Sequence, residues 1–306
     1  MLTYKHKYLL HKMKRYKTMY LFLLPAIVSV IIFAYVPMGG ILMAFQDYDI
    51  IKGLAGSEWA GLTHFKKFMS DASFYNAVKN TVVINVLGIT FGFPIPIALS
   101  IMIFSMKNSK FKKITQTVSY LPHFVSWVVV AGLVYKVLDI NTGIVNVILR
   151  ALQLEPVPFM RELNCFWPII TITGIWKELG WSSIIYLATL SSIPAEQYES
   201  AIVDGANGRQ KLIYITLPGM MDTIGLLFIF TIGSLIRDNF EAVYNLSNPF
   251  LASRATTIEY YVFLSGIVND DISLATAVGL AQSLISLALV CMANAVSRKV
   301  RGHGAF

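Results

Sequence analysis

The sequence predicts an all-α membrane protein with six transmembrane helices and both termini in the cytoplasm, and three observations predict it. Hydrophobic residues make up 56% of the 306 and charged residues only 14%, against roughly a quarter charged in soluble domains. Six apolar stretches are long enough to cross a bilayer. Lys and Arg are divided unevenly between the segments that join them.

A helix rising about 1.5 Å per residue needs about 20 apolar residues to cross the hydrocarbon, and in lipid every backbone group must bond within its own segment. Stretches near residues 19–45, 80–105, 114–138, 166–190, 216–236 and 276–296 meet this. The first follows a basic segment, residues 1–18, which reads as topogenic or as an interfacial contact to membrane lipid. Its apolar run is too long for a cleavable signal and is read as a retained span. Pro25 and Pro37 in the first span, Pro94 and Pro96 in the second and Pro122 in the third free carbonyls and bend the path, which suits a cavity. The fourth span is the least apolar because "GIWKELGW" interrupts it. Segments 46–79 and 237–275 are short enough for a lid or cap, so the chain reads as one membrane domain: a first helix at 19–45, a core at 80–296 and a tail at 297–306.

Orientation follows from the basic residues. The amino terminus, "MKNSKFKK", the loop after the fourth span and the tail hold six, four, two and three Lys or Arg, whereas the opposite connections hold four, two and two. The richer side is read as cytoplasmic. The net charge of +8 is thereby explained without nucleic acid, for which no binding motif is present. Cys165 and Cys291 fall on opposite sides of the predicted membrane, so no disulfide is expected between them. No His, Cys or carboxylate group has metal-ligand spacing, no nucleophile–base arrangement stands out, and no phosphate-binding loop of the G-x-x-x-x-G-K-[ST] type occurs. No enzyme activity, cofactor or metal is therefore expected in this chain.

The loop "SSIPAEQYESAIVDGANGRQKLIYITLP" contrasts with the spans around it. Ser191 or Ser192 can cap a helix, Pro194 fits its first turn, and Glu196 and Glu199 favour the positive end of its dipole. The helix should run to about Asp204, Gly205 can take the left-handed conformation that ends it, and Asn207-Gly208 signals a turn. Arg209 to Leu217 then forms a second short helix, with Pro218 at the junction to the fifth span. A charged loop between spans is ordinarily a solvated turn. Here Glu199, Gly205 six residues on, and Ile215, Leu217 and Pro218 after a fixed gap resemble the signature Glu-Ala-Ala, three residues, Gly, nine residues, Ile-x-Leu-Pro. That signature belongs to the membrane subunits of ATP-binding-cassette importers. Ser200 stands where it has its first alanine, and Asp204-Gly205-Ala206 strengthens the match.

The likeness extends from about Tyr20 to Lys299. "QTVSYLPHFVSWVVVAGLV", "GIWKELGWSSIIYLATLSSIPAEQYESAIVDGAN" and "ATAVGLAQSLISLALV" resemble maltose-type sugar permeases, nearest the branch serving oligosaccharides of complex polysaccharides. The resemblance implies a type I importer fold and a heteromeric complex. A second homologous permease, two ATP-binding subunits that bind ATP and Mg, and an extracellular solute-binding lipoprotein would complete it. It also implies that the loop docks in a groove of the ATPase. Glu199 would make a charge-assisted contact to the groove, Tyr198, Ala201 and Ile202 would supply the packed part and Gly205 the bend, with Glu196, Asp204 and Ala206 in the same coupling segment.

An oligosaccharide calls for aromatic faces and polar side chains in a mostly preformed cavity. Trp176, Lys177, Glu178 and Trp181, midway along the fourth span, offer both. Adjacent in sequence, Lys177 and Glu178 point in different directions on a helix and need not pair with one another. They face either the cavity or neighbouring helices. Trp127, Asn239, Tyr244 and Gln282 are further pathway candidates, whereas His123 reads as a hydrogen-bonded packing residue. Two alternatives remain at this level. One is a permease of the same superfamily for a non-sugar solute; the other is an ion-coupled secondary transporter using Lys177 and Glu178, which would not need the loop motif.

Overall fold

The computed structural model describes residues 16–301, with side chains to residue 299; most of the basic amino-terminal segment and the last five residues lie outside the described part. Among the described residues the regular structure is helical apart from one short strand pair. Helix α1 spans Lys17–Phe45 and leads into strands β1 (Gln46–Asp47) and β2 (Glu58–Trp59), which pair antiparallel. There follow α2 (Thr63–Met69), α3 (Ala72–Ser105), α4 (Ser109–Tyr120), α5 (Trp127–Val137) and α6 (Ile144–Ala151). Helix α7 runs Leu163–Ser192, α8 Ala195–Val203, α9 Gly208–Gly233, α10 Phe240–Leu246, α11 Ile258–Phe263 and α12 Ile272–Arg301.

Among the described residues, four helices, α1, α3, α9 and α12, are long and apolar enough to cross a membrane, and a fifth span results if the bent pair Ser109–Phe124 and Trp127–Val137 counts as one. The third predicted span is thus not a single rod. Pro122 tightens residues Leu121–Phe124 into a 3₁₀ turn, Val125 is extended, and the Ser126 hydroxyl accepts from Val129 N to start a new helix, turned by 101°. Prolines leave a different mark elsewhere. The helix widens to π geometry at Ile31–Tyr35, Gly88–Gly92 and Leu212–Thr216, and each widened turn ends two residues before a proline, at Pro37, Pro94 and Pro218. A proline ring crowds the carbonyl four residues back and offers it no N–H, and a wider turn relieves both problems without ending the helix. The second short helix predicted at 209–217 is consequently no separate element, because it continues through the widened turn into α9.

Three apolar clusters hold the bundle. Trp127, Val130, Phe166, Ile170, Val243 and Leu246 join α5, α7 and α10. Phe68, Ala77, Ile258, Tyr261, Leu274 and Val278 join α2, α3, α11 and α12. Tyr186, Leu190 and Met220 join α7 to α9, with Ile97, Ile101 and Phe104 of α3 packed against them. Polar anchors fix the irregular end. Asn85 Nδ2 donates to the carbonyls of Thr81, Leu235 and Arg237 at 3.0, 2.9 and 2.9 Å. Fully buried Asn80 donates to Ser253 and Thr256 carbonyls, and the Thr81 hydroxyl accepts from Ile258 N at 2.9 Å. Of the four helices long and apolar enough to cross a membrane, α1 is the least covered: no residue of Lys17–Tyr35 is buried against the chain.

Candidate functional site

Two places combine polar chemistry with exposure: a cavity midway along α7, and the surface of α8. The cavity holds about 740 Å³ and is walled by α3, α5, α7, α9 and the start of α10. Thr171, Glu178, Trp181, Ser182 and Tyr186 line it from α7, Trp127 from α5, Thr231 and Ser234 from the end of α9, and Asp238 and Asn239 from the link to α10. Of the sequence-predicted pathway residues, the structure brings together Trp127, Glu178, Trp181 and Asn239. Asn239 also caps α10, its side chain accepting from Ala242 N at 3.1 Å.

The charges on α7, which their adjacency leaves free to pair or not, do pair. Lys177 Nζ is 3.6 Å from Glu178 Oε1, donates to the His123 carbonyl at 2.6 Å and lies 5.6 Å over the Trp127 ring. The long lysine stem lets the amine travel around the helix, a reach that Cα directions alone do not convey. Glu178 Oε2 is 2.8 Å from His123 Nδ1, and an ionised carboxylate only accepts, so this contact places the ring proton on Nδ1. Lys177 is buried while Glu178 is 40% exposed, so the pair has a dry end and an end open to the cavity. The predicted packing role of His123 thus takes a definite form at the bend between α4 and α5.

Other candidates lie elsewhere. Trp176 is about half exposed and outside the cavity lining. Tyr244 stacks in an aromatic group with Phe240, Tyr260 and Phe263. Gln282 Nε2 donates to the Ile236 carbonyl at 2.6 Å, tying α12 to the end of α9. Sequence reasoning missed Thr171, Ser182, Tyr186 and Asp238. The three α7 residues are spaced from Glu178 by seven, four and eight positions, one helical face, and extending that face would have found them. Asp238 follows an apolar helix in an irregular segment, where periodicity has no hold. Its two oxygens are buried, and the Thr257 hydroxyl and the Glu259 N–H approach without reaching hydrogen-bond geometry. Burial pushes the Asp238 carboxyl above its ordinary range; burial, then the neighbouring Asp238 charge, does the same to Glu259.

Helix α8 has Pro194, not Ser191 or Ser192, as its cap, because both hydroxyls donate back into α7, to Leu187 and Thr189 carbonyls. Its end follows the prediction. Gly205 has φ of 78°, Ala206 N donates to Ala201 O at 2.8 Å and Gly205 N to Ile202 O at 3.0 Å, the paired bonds of a Schellman termination. Asn207 and Gln210 then form a reciprocal capping box that starts α9. Ile202 is 59% and Val203 87% exposed, and Glu196, Glu199 and Asp204 are exposed beside them. Tyr198 faces inward instead: its hydroxyl is 3.0 Å from Thr216 Oγ1 of α9, and its ring is 6.3 Å from that of Phe104 of α3.

Bundled apolar helices around a mostly apolar cavity that carries a few polar side chains, with an exposed helix apart from it, fit the class of membrane transport subunits. The chain belongs to the family described as binding-protein-dependent transport system inner membrane component, which matches residues 92–302. It is 37% identical to protein LplB of Bacillus subtilis (strain 168), over 96% of this chain and 92% of that one. It is also 37% identical to the polygalacturonan/rhamnogalacturonan transport system permease protein YteP of the same organism, over 99% and 94%. A solved structure of a bacterial ABC transporter involved in the import of the acidic polysaccharide alginate contains a chain 38% identical, with a TM-score of 0.88 over 96% of this chain and 99% of that one. The protein is a permease subunit of an ABC importer and a membrane protein; ATP hydrolysis resides in separate subunits.

Proposed function

We propose that this chain forms half of the translocation pathway for an oligosaccharide and transmits motion to it from two ATPase subunits through α8. Six spans with both termini cytoplasmic, the bent α4–α5 pair and α7 included, fit this reading. Residues 1–18 and 297–306 are then cytoplasmic flanks and 80–296 the core, with the coupling helices at 193–217. A second permease supplies the other half, a solute-binding lipoprotein delivers the sugar, and ATP with its Mg²⁺ binds the ATPases.

The observation that carries the proposal is how α8 is held. Its end is stiffened by the Schellman bonds at Gly205, and Tyr198 joins it to α9 at Thr216 and to α3 at Phe104. An ATPase groove that grips Ile202, Val203 and Glu199 would therefore move α9 and α3, two walls of the cavity, as one body. ATP favours the state in which the ATPases close, and the rocking of these walls shifts access to the other side. Trp127 and Trp181 offer sugar rings an aromatic wall, and Glu178, Ser182 and Asn239 meet hydroxyls. The names of YteP and of the alginate importer support a sugar cargo.

Purification of the tagged chain from native membranes tests the proposal. A second permease and an ATPase should co-purify, and proteoliposomes of that complex with its binding protein should take up an oligosaccharide on ATP addition. Uptake without an ATPase partner, or of no saccharide at all, would overturn it.

A further inference from the structure

Helix α4 carries a second feature, outside the cavity. Phe111, Ile114, Val118 and Leu121, spaced three, four and three residues apart, are each more than half exposed. That spacing makes one apolar stripe, which ends at the Pro122 bend. Exposed Lys110 and Lys113 stand beside it and, with Ile114, Thr117 and Val118, line an open groove of about 420 Å³. The groove therefore has cations at one end and methyl groups at the other. These cations are uncompensated. No acidic residue occurs between Asp71 and Asp139, and among the described residues no carboxylate comes within ion-pair distance of Lys107, Lys110, Lys112 or Lys113. Lys112 turns toward the protein, its ammonium 5.4 Å over the Phe104 ring, and that ring is 6.3 Å from the ring of Tyr198, so the lysines lie at the α8 end of the bundle. Their depth follows from the neighbouring elements. The apolar helix α3 ends at Ser105, two residues before the first lysine, where a span leaves the hydrocarbon. Helix α4 then runs back inward, since His123, just past its end, meets Glu178 midway along α7.

We infer that this groove binds an anionic phospholipid of the leaflet on the α8 side, with the headgroup phosphate at Lys110 and Lys113 and an acyl chain along Ile114 and Val118. An acidic soluble partner satisfies the lysines but not an apolar stripe that runs into the hydrocarbon, and an apolar partner helix satisfies the stripe but not the lysines. An anionic lipid satisfies both, and each lysine at the surface favours it roughly fivefold over a neutral one. Bound there, the lipid braces the lysine end of α4 beside Phe104 and Tyr198, the side chains that link α3 to α8. The inference does not depend on the cargo. From the proposed function it takes only that α8 faces the cytoplasm, which makes the leaflet the inner one.

A photo-reactive side chain at Ile114 of the full complex, reconstituted in vesicles of equal phosphatidylglycerol and phosphatidylcholine, tests this by the mass of the adduct that light produces. Phosphatidylglycerol should exceed phosphatidylcholine in the adduct by at least about fivefold, and the excess should shrink as salt screens the lysines. In Lys110→Gln and in Lys113→Gln it should fall about fivefold. Adducts in the proportion of the two lipids would overturn the inference, as would an excess that neither salt nor the lysine variants reduce. So would coupling to a second permease or to an ATPase in place of lipid. The salt series on the complex with both lysines decides the matter if a variant fails to assemble. None of these outcomes involves a saccharide, so the sugar reading stands or falls separately.

Discussion

His123 lies flat against Trp181, their ring centroids 4.3 Å apart and their planes 2° from parallel, at the point where the chain turns from α4 into α5. The imidazole is held from its other side by Glu178, whose second oxygen faces Lys177. One aromatic wall of the cavity is thus set by an ion pair and not by packing alone.

Removing Glu178 should therefore loosen both the wall and the bend. Glu178→Ala leaves a buried lysine without its anion and His123 without its acceptor. Because Glu178 is partly exposed, the expected loss is about 1–3 kcal/mol, below that of a fully buried pair. Glu178→Gln keeps an acceptor for His123 and should lose less. Thermal unfolding of the purified complex gives the order, and equal midpoints for Ala and the unsubstituted chain would refute it.

Where α7 crosses α4, Gly180 permits contact between backbones. A Cβ there would meet the Ser119 carbonyl oxygen at 2.1 Å, and backbone cannot swing aside. Gly180→Ala should cost about 1–3 kcal/mol by overpacking. Gly132→Ala on α5, with open space around it, should be neutral within about 1 kcal/mol. Comparable losses for the two would show that the crossing is not tight.

The pH dependence has two parts of opposite sign. For Asp271, burial raises the carboxyl pKa, but the Lys67 contact and the Leu274 N–H outweigh it and leave it below its ordinary value. Asp71 is likewise lowered, burial being outweighed by bonds from Tyr261 and Ser73. Carboxylates held low stabilise above their unfolded pKa, about 4, and that stability is lost as pH falls further. Asp238 and Glu259 are held high, so their strain is absent in acid and appears as pH rises through the raised values. Asp238→Asn should accordingly raise the unfolding midpoint at pH 7 to 8 and leave it unchanged near pH 4. A constant difference across that range would contradict the assignment.

Much of this was legible beforehand. Four of the predicted spans, the end of α8 and the turn at Asn207 follow from length, charge and the demand that Gly205 takes a positive φ. The polar interruption at Trp176–Trp181 lies within α7, which is not among the described helices long and apolar enough to cross a membrane. Less visible was the action of proline, which sharply bent the chain at Pro122 yet only widened it before Pro37, Pro94 and Pro218. That outcome depends on whether a serine such as Ser126 waits to cap a new helix. The sequence marks Lys177 and Glu178 but not their pairing, and it does not mark Asp238, because irregular links carry no period to read.

At Gly205 the space is open, so a side chain is opposed by backbone conformation only. Gly205→Ala should lose about 1 kcal/mol of local stability. Gly205→Asp adds a charge beside the docking face and should leave the protein in the membrane but reduce sugar-stimulated ATPase activity at least about tenfold. Equal stimulated activity in Gly205→Asp and the unsubstituted complex would count against α8 as the coupling element.

The most direct test of force transmission places a photo-reactive side chain at Ile202 of α8 and, as a control, at Ile267, an exposed residue near the opposite end of the bundle. Irradiated in native membranes, the Ile202 position should form an adduct with the ATPase subunit whose yield changes on trapping with ATP and vanadate, and the Ile267 position should form none. An Ile202 position that labels only lipid or water, in every nucleotide state, would contradict the account.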